Sequence, residues 1–158
     1  MTSKVYVALR VKATPERAFA AFVQEIGAWW RPSELFQTTP RPGRLSFEFA
    51  AGAPGEGGRL IETREGGKAF EIGKVRVWEP PRRLVFSWRQ ANFPLDLHTE
   101  VEVGFEAVGD ETRVSVEHRG FDQAPAGAAR HGLPDQVLLV RLADFWRAQI
   151  ASVGERLG

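Results

Sequence analysis

The sequence contains no cysteine in its 158 residues. Disulfides, thiolate metal sites and cysteine nucleophiles are therefore excluded. It also has almost no charge excess: 21 basic and 20 acidic side chains leave a formal net charge of +1. That balance gives no electrostatic footing for nucleic acid or an anionic membrane. Histidine is scarce. His98, His118 and His131 are scattered, none with a second ligand at metal spacing. No metal and no other cofactor is expected. The glycines of Gly52–Gly58 form a hairpin loop without the spacing or the lysine of a phosphate loop, and no nucleophile elbow or dinucleotide fingerprint is present. No apolar run approaches a membrane span, and the N-terminal MTSKVYVALRVK has no apolar h-region. A cytoplasmic protein is the expectation.

What the chain has instead is apolar aromatic surface: 11 Phe and 5 Trp against a single Tyr. Phenylalanine carries no polar tip, so this surface is meant for burial or for an apolar ligand. A chain of this length suits one domain, residues 1–158. It can bury roughly 70% of its unfolded surface.

The stretch Gly73–Trp88 organises the rest. Val75 and Val77 alternate with Lys74, Arg76 and Trp78, and Leu84, Phe86 and Trp88 alternate with Val85 and Ser87. Period-2 alternation puts each set on one strand face, with Trp78 on the outer one. Pro80-Pro81 breaks the strand between the two runs. The hairpin's inner face needs a cover.

Val5, Val7, Leu9 and Val11 alternate as a first strand. Thr14-Pro15-Glu16 opens a helix through a cap, a proline at the first helical position and an acid at the positive dipole end. Phe19, Phe22, Val23 and Ile26 make its apolar stripe, and Gly27 can stop it. A second helix at Ala28–Arg31 is short, since Pro32 follows. Six strands come next, around Leu45–Phe49, Arg59–Arg64, Phe70–Trp78, Leu84–Arg89, Val101–Phe105 and Val114–His118. In the third of these, Phe70 and Ile72 share one parity and Val75 and Val77 the other, so a β-bulge is expected at Gly73. Residues 120–132 read as a loop. Leu139, Ala143, Trp146, Ile150, Val153 and Leu157 then step as an amphipathic helix of about six turns. The order is β-α-α-β6-α. It describes an α+β helix-grip fold, a curved antiparallel β-sheet wrapped around a long C-terminal α-helix.

Five stretches carry a resemblance. They are Val11–Phe19, Gly57–Leu60 with Glu62, Gly73–Trp88, Thr112–Phe121, and Trp146 through Ile150 and Val153 to Leu157. Together they resemble the SRPBCC (START-like, birch-pollen-allergen-like) superfamily, in the branch similar to the C-terminal domain of the heat-shock protein 90 ATPase activator. The resemblance implies a single START-like domain with a hydrophobic cavity between sheet and helix that often takes apolar or aromatic molecules. It implies no reaction, because fold does not settle function.

Several side chains are candidates for lining that cavity. Trp30 and Trp88 lie where elements meet loops, where pocket mouths form. Phe47, Phe70, Phe86 and Trp146 either line the cavity or fill the core. Phe93, in the Phe93-Pro94-Leu95 tip, either gates a pocket or is a packed turn. Glu62 faces inward if Leu60 does, and would then need a partner such as an arginine; if Ile61 faces in, Glu62 is solvated, and the resemblance favours the inward orientation. His118 continues the parity of Val114 and Val116 and reads as a hydrogen-bonded strand-end histidine before it reads as a base. His98, on the opposite parity from Val101, faces solvent. The favoured function is binding of an apolar or aromatic small molecule without covalent chemistry. The alternatives are a cyclase or dehydratase with Glu62 or His118 as general base, and a chaperone-associated interaction domain. A homodimer or a chaperone partner is left open.

Overall fold

The computed structural model describes residues 4–31, 43–49, 54–64, 66–89, 98–120 and 134–158. Ten elements follow in chain order: β1 (Lys4–Val11), α1 (Pro15–Gln24), α2 (Ile26–Trp29), β2 (Arg44–Glu48), β3 (Arg59–Thr63), β4 (Ala69–Glu79), β5 (Arg83–Trp88), β6 (Thr99–Val108), β7 (Glu111–Arg119) and α3 (Asp135–Leu157). The strands form one antiparallel sheet in the order β1-β7-β6-β5-β4-β3-β2. β1 and β2 are thus opposite edges, and α1 and α2 carry the chain between them. Helix α1 packs against both β2 and the distant pair β6–β7, which only a strongly curved sheet permits. This is the expected α+β helix-grip architecture.

Alternation sets the inner face. Val5, Val7 and Val11 of β1, Val101, Val103 and Phe105 of β6, and Val114 and Val116 of β7 are buried. The register places Val7 opposite Val116, which lies opposite Val103 on its other side. Helix α1 begins as its sequence dictates: Thr14 Oγ1 accepts from the Arg17 amide at 3.2 Å, with Pro15 in the first turn. It ends at Gln24, before Gly27, which lies inside α2 instead. The reason for that glycine is close approach. A Cβ there would stand 3.0 Å from the Leu45 carbonyl oxygen of β2.

Strand β4 carries two irregularities. Leu60 pairs with Gly73 and Ile61 with Glu71, so Ile72 is the extra residue of the expected bulge. A second bulge follows four residues on: Val75 pairs with Phe86 but Val77 with Val85, leaving Arg76 extra. It reverses the parity again. Trp78 therefore opposes Leu84 on the inner face, where its ring meets Phe19 at 5.1 Å. Val77 is only half-buried and turns to the outer face. The assignment of Val77 inward and Trp78 outward from simple alternation is corrected on both counts.

Helix α3 lies against β1, α1 and α2. Its deepest apolar side chains are Leu138, Leu142, Trp146, Ile150 and Val153. Leu139 and Ala143, expected in that row, are half-buried at its side. Two buried polar residues tie α3 to α2. Gln149 accepts from the Arg31 amide at 3.0 Å and donates to the Arg31 carbonyl at 2.7 Å. Ser152 donates to the Trp29 carbonyl. The Ser152 bond satisfies a carbonyl that the end of α2 leaves open, and the Gln149 pair fixes the chain just beyond it.

Candidate functional site

The tryptophans come together, but as core. Trp88 and Trp146 are buried, their rings 6.2 Å apart, and Trp30 packs on both at 5.7 and 6.0 Å. Phe86 is buried as well. Trp30 alone is half-buried. His118 sits in this cluster, with none of its surface exposed. Trp146 Nε1–H donates to His118 Nδ1 at 3.1 Å, and His118 Nε2 lies 2.7 Å from Thr99 Oγ1. With Nδ1 accepting, a neutral ring carries its proton on Nε2 and donates it to Thr99. Thr99 in turn donates to the Trp88 carbonyl at 3.3 Å. Burial, with the Arg119 charge adding to it, pushes the imidazole down to about 3. This is a neutral, doubly engaged ring that ties α3 to the sheet, with neither nitrogen free to serve as a base.

Glu62 faces inward with Leu60, as Leu45 and Phe47 do opposite it. It is 3% exposed. Its Oε2 accepts from the Gly43 amide at 3.3 Å, and Oε1 lies 3.8 Å from Arg64 Nε. An arginine partner is what an inward carboxylate needs. Phe70, opposite Glu62, is flanked by two guanidinium groups, Arg64 at 5.3 Å and Arg89 at 5.7 Å. Such contacts are cation–π interactions. Phe93 and His131 lie outside the described residues. His98 is exposed, 3.2 Å from Arg76 Nη2.

A cleft of about 890 Å³ opens elsewhere, between α1–α2 and the β2–β4 side of the sheet. Its walls are Phe19 and Val23 of α1, Leu45 and Phe47 of β2, Phe49, Trp78 and the Pro80-Pro81 turn. Of the candidate residues named from sequence that lie among the described residues, only Phe47 lines it. Phe47 links core to cleft, with its ring 5.6 Å from Phe86 and stacked at 6.4 Å on Phe49. Phe49 meets Trp78 at 5.1 Å. Among the described residues, the tryptophan cluster packs between the sheet and α3, and α3 reaches the cleft through Arg156. Trp78 was the residue that alternation missed. The second bulge brings it here, and no glycine or proline marks that bulge in the sequence.

The polar rim of the cleft is arranged around Glu25. Arg17 Nη1 reaches one carboxylate oxygen at 2.7 Å and Arg156 Nε the other at 2.9 Å. The hydrogen bond from Arg17, then that from Arg156, holds the Glu25 carboxyl below its ordinary value. Among the described residues, no cluster of three or more histidine, aspartate or glutamate side chains could hold a metal ion. No helix among them is long and apolar enough to cross a membrane.

Fold and aromatic interior define a helix-grip α+β domain of the START-like class. Residues 12–142 match the family described as Activator of Hsp90 ATPase homolog 1-like protein, and the chain belongs to that family. Solved structures share the fold at low identity. Protein MLL2253 from Mesorhizobium loti is 19% identical, with a TM-score of 0.65 over 98% of this chain and 96% of that one. CalU16 from Micromonospora echinospora is 19% identical, with a TM-score of 0.62 over 99% of this chain and 74% of its own. The AHSA1 protein from Silicibacter pomeroyi is 16% identical, with a TM-score of 0.60 over 98% and 96%. No curated protein sequence matches the chain.

Proposed function

We propose that the protein binds an apolar or aromatic small molecule, without covalent chemistry, in the cleft between α1–α2 and the β2–β4 side of the sheet. The observation that carries this reading is the aromatic wall. Phe47, Phe49 and Trp78 are half-buried rather than closed off, around a space of about 890 Å³. Small-molecule pockets fall in the range of roughly 300–1,000 Å³ and are lined mainly by apolar and aromatic side chains. Apolar area leaving water there gains about 25 cal/mol per Å². Micromolar affinity, about −8 kcal/mol, is in keeping with such a site.

The engagement of three acid–base candidates among the described residues supports binding over reaction. His118 is engaged at both nitrogens in the core, Glu62 does not line the cleft, and Glu25 is held by two arginines. The test is a tryptophan-fluorescence titration with a panel of planar aromatic and fatty ligands. Saturable quenching that is lost in Trp78→Phe, with affinity weakened in Phe47→Ala, is the expected result. No saturable binding to native protein across the panel would remove this reading and leave a chaperone-associated interaction domain ahead.

A further inference from the structure

The charges around the cleft are not symmetrical. At the α2 end stand Arg44, Arg156 and Glu25, with Arg17 bound to that same glutamate. One carboxylate takes up two of these three arginines. Arg44 is exposed and makes no ion pair among the described residues. Its stem lies on the backbone of α2. A Cβ on Gly27 would stand 3.2 Å from Arg44 Cγ and 2.8 Å from its Nε, so only glycine leaves room for the arginine there. Glu16, the other acid of the cleft, lies at the far end of α1, beside Pro80 and Pro81. The rise of a helix separates it from Gln24 by roughly 12 Å.

An apolar trough with one unopposed guanidinium at its end fits a particular shape of ligand. We propose that the cleft takes an amphipathic organic anion, an aromatic or alkyl carboxylate. The apolar body lies along Phe47, Phe49 and Trp78, and the carboxylate meets Arg44. This rests on the cleft being the binding site. Guanidinium is suited to the role because its planar fork can donate two parallel hydrogen bonds to a carboxylate. Glu16 at the far end disfavours the reversed orientation.

Two matched pairs of probes test this at low salt, where an exposed charge is least screened. They are 2-naphthoate with 2-naphthamide, and decanoate with decanol. Each carboxylate is expected to bind at least fivefold tighter than its neutral counterpart. Arg44→Leu should abolish that difference and leave the affinity for the neutral probes within twofold, while Arg44→Lys keeps part of it. Thermal melts of both variants check that they fold. Equal binding of acid and neutral probe to native protein, or an equal loss for both in Arg44→Leu, would overturn the carboxylate assignment while leaving the cleft reading intact. Saturable binding by none of the four would overturn both.

Discussion

Trp146 of α3 donates its indole N–H to Nδ1 of His118 on β7, 3.1 Å away inside the aromatic core. The bond joins the long helix to the sheet and requires the imidazole to be neutral. A histidine whose folded value lies near 3, against an ordinary 6.5, binds its proton in the unfolded chain first. Its contribution to stability is therefore complete above pH 6.5 and is lost as pH falls from there toward 3. The slope approaches about 1.4 kcal/mol per pH unit. Urea unfolding between pH 7.5 and 5.0, above the main carboxylate range, should show this loss in native protein. His118→Gln should flatten it. Parallel pH profiles for the two proteins would contradict the assignment.

The same relay makes Thr99 more than a buried strand residue. Thr99→Val keeps the shape but removes the oxygen that faces His118 Nε2. Leaving a buried donor unsatisfied costs about 1–3 kcal/mol. Chemical denaturation should show a loss of that size. A loss under about 0.5 kcal/mol, as for an ordinary surface change, would mean that the ring finds another acceptor.

Gly73 gives a direct test of the bulge. A Cβ at this position would overlap the Ser87 carbonyl oxygen of the neighbouring strand. Backbone cannot swing aside as a side-chain tip can, so Gly73→Ala should destabilise by at least about 2 kcal/mol. Gly66→Ala, in an open turn with a φ of 90° and nothing near its Cβ, carries a backbone penalty only. That penalty is roughly 1 kcal/mol. Thermal melts of the two variants should keep that order.

Helix α3 offers the plainest comparison. Ile150 is 1% exposed and Val140 63% exposed on the same helix. Ile150→Ala should cost roughly 2–5 kcal/mol, as large-to-small changes in cores do. Val140→Ala should stay within about 0.5 kcal/mol. A small effect at Ile150 would mean that the sheet does not grip the helix.

Most of the architecture was legible because alternation and helical spacing report which face is buried. The rows Val5–Val11, Val101–Phe105 and Val114–His118 are inner exactly where period 2 puts them, and the Thr14-Pro15-Glu16 signal starts α1. Alternation left Glu62 open, inward with Leu60 or solvated if Ile61 faced in, and the resemblance favoured the inward turn that the burial of Glu62 and Leu60 shows. Two things were hidden. Gln149 and Ser152 read as polar interruptions of an apolar stripe, since nothing in their spacing reveals the carbonyls they serve at Trp29 and Arg31. The bulge at Arg76 was hidden too, because it inserts a charged residue among alternating ones without a glycine to mark it. That single slip moved the cleft wall.

The slip has a measurable consequence, and it reverses a ranking. Simple alternation makes Trp88 the ligand contact and Trp78 an outer-face bystander. The structure buries Trp88 to 1% exposure and sets Trp78 in the cleft beside Phe19 and Phe49. Trp88→Ala should then act on the fold, costing about 3–5 kcal/mol as truncation of a buried aromatic does. Trp78→Ala should act on binding. A half-buried ring lost from the wall removes apolar contact area at about 25 cal/mol per Å², enough for a several-fold to tenfold weakening of an aromatic ligand. The two readouts separate the effects: urea midpoints for stability, and calorimetric titration for affinity on whatever fraction remains folded. A Trp78→Ala variant that binds as well as native protein, while retaining its fold, would put the ligand elsewhere and return attention to the half-buried Trp30 at the edge of the tryptophan cluster.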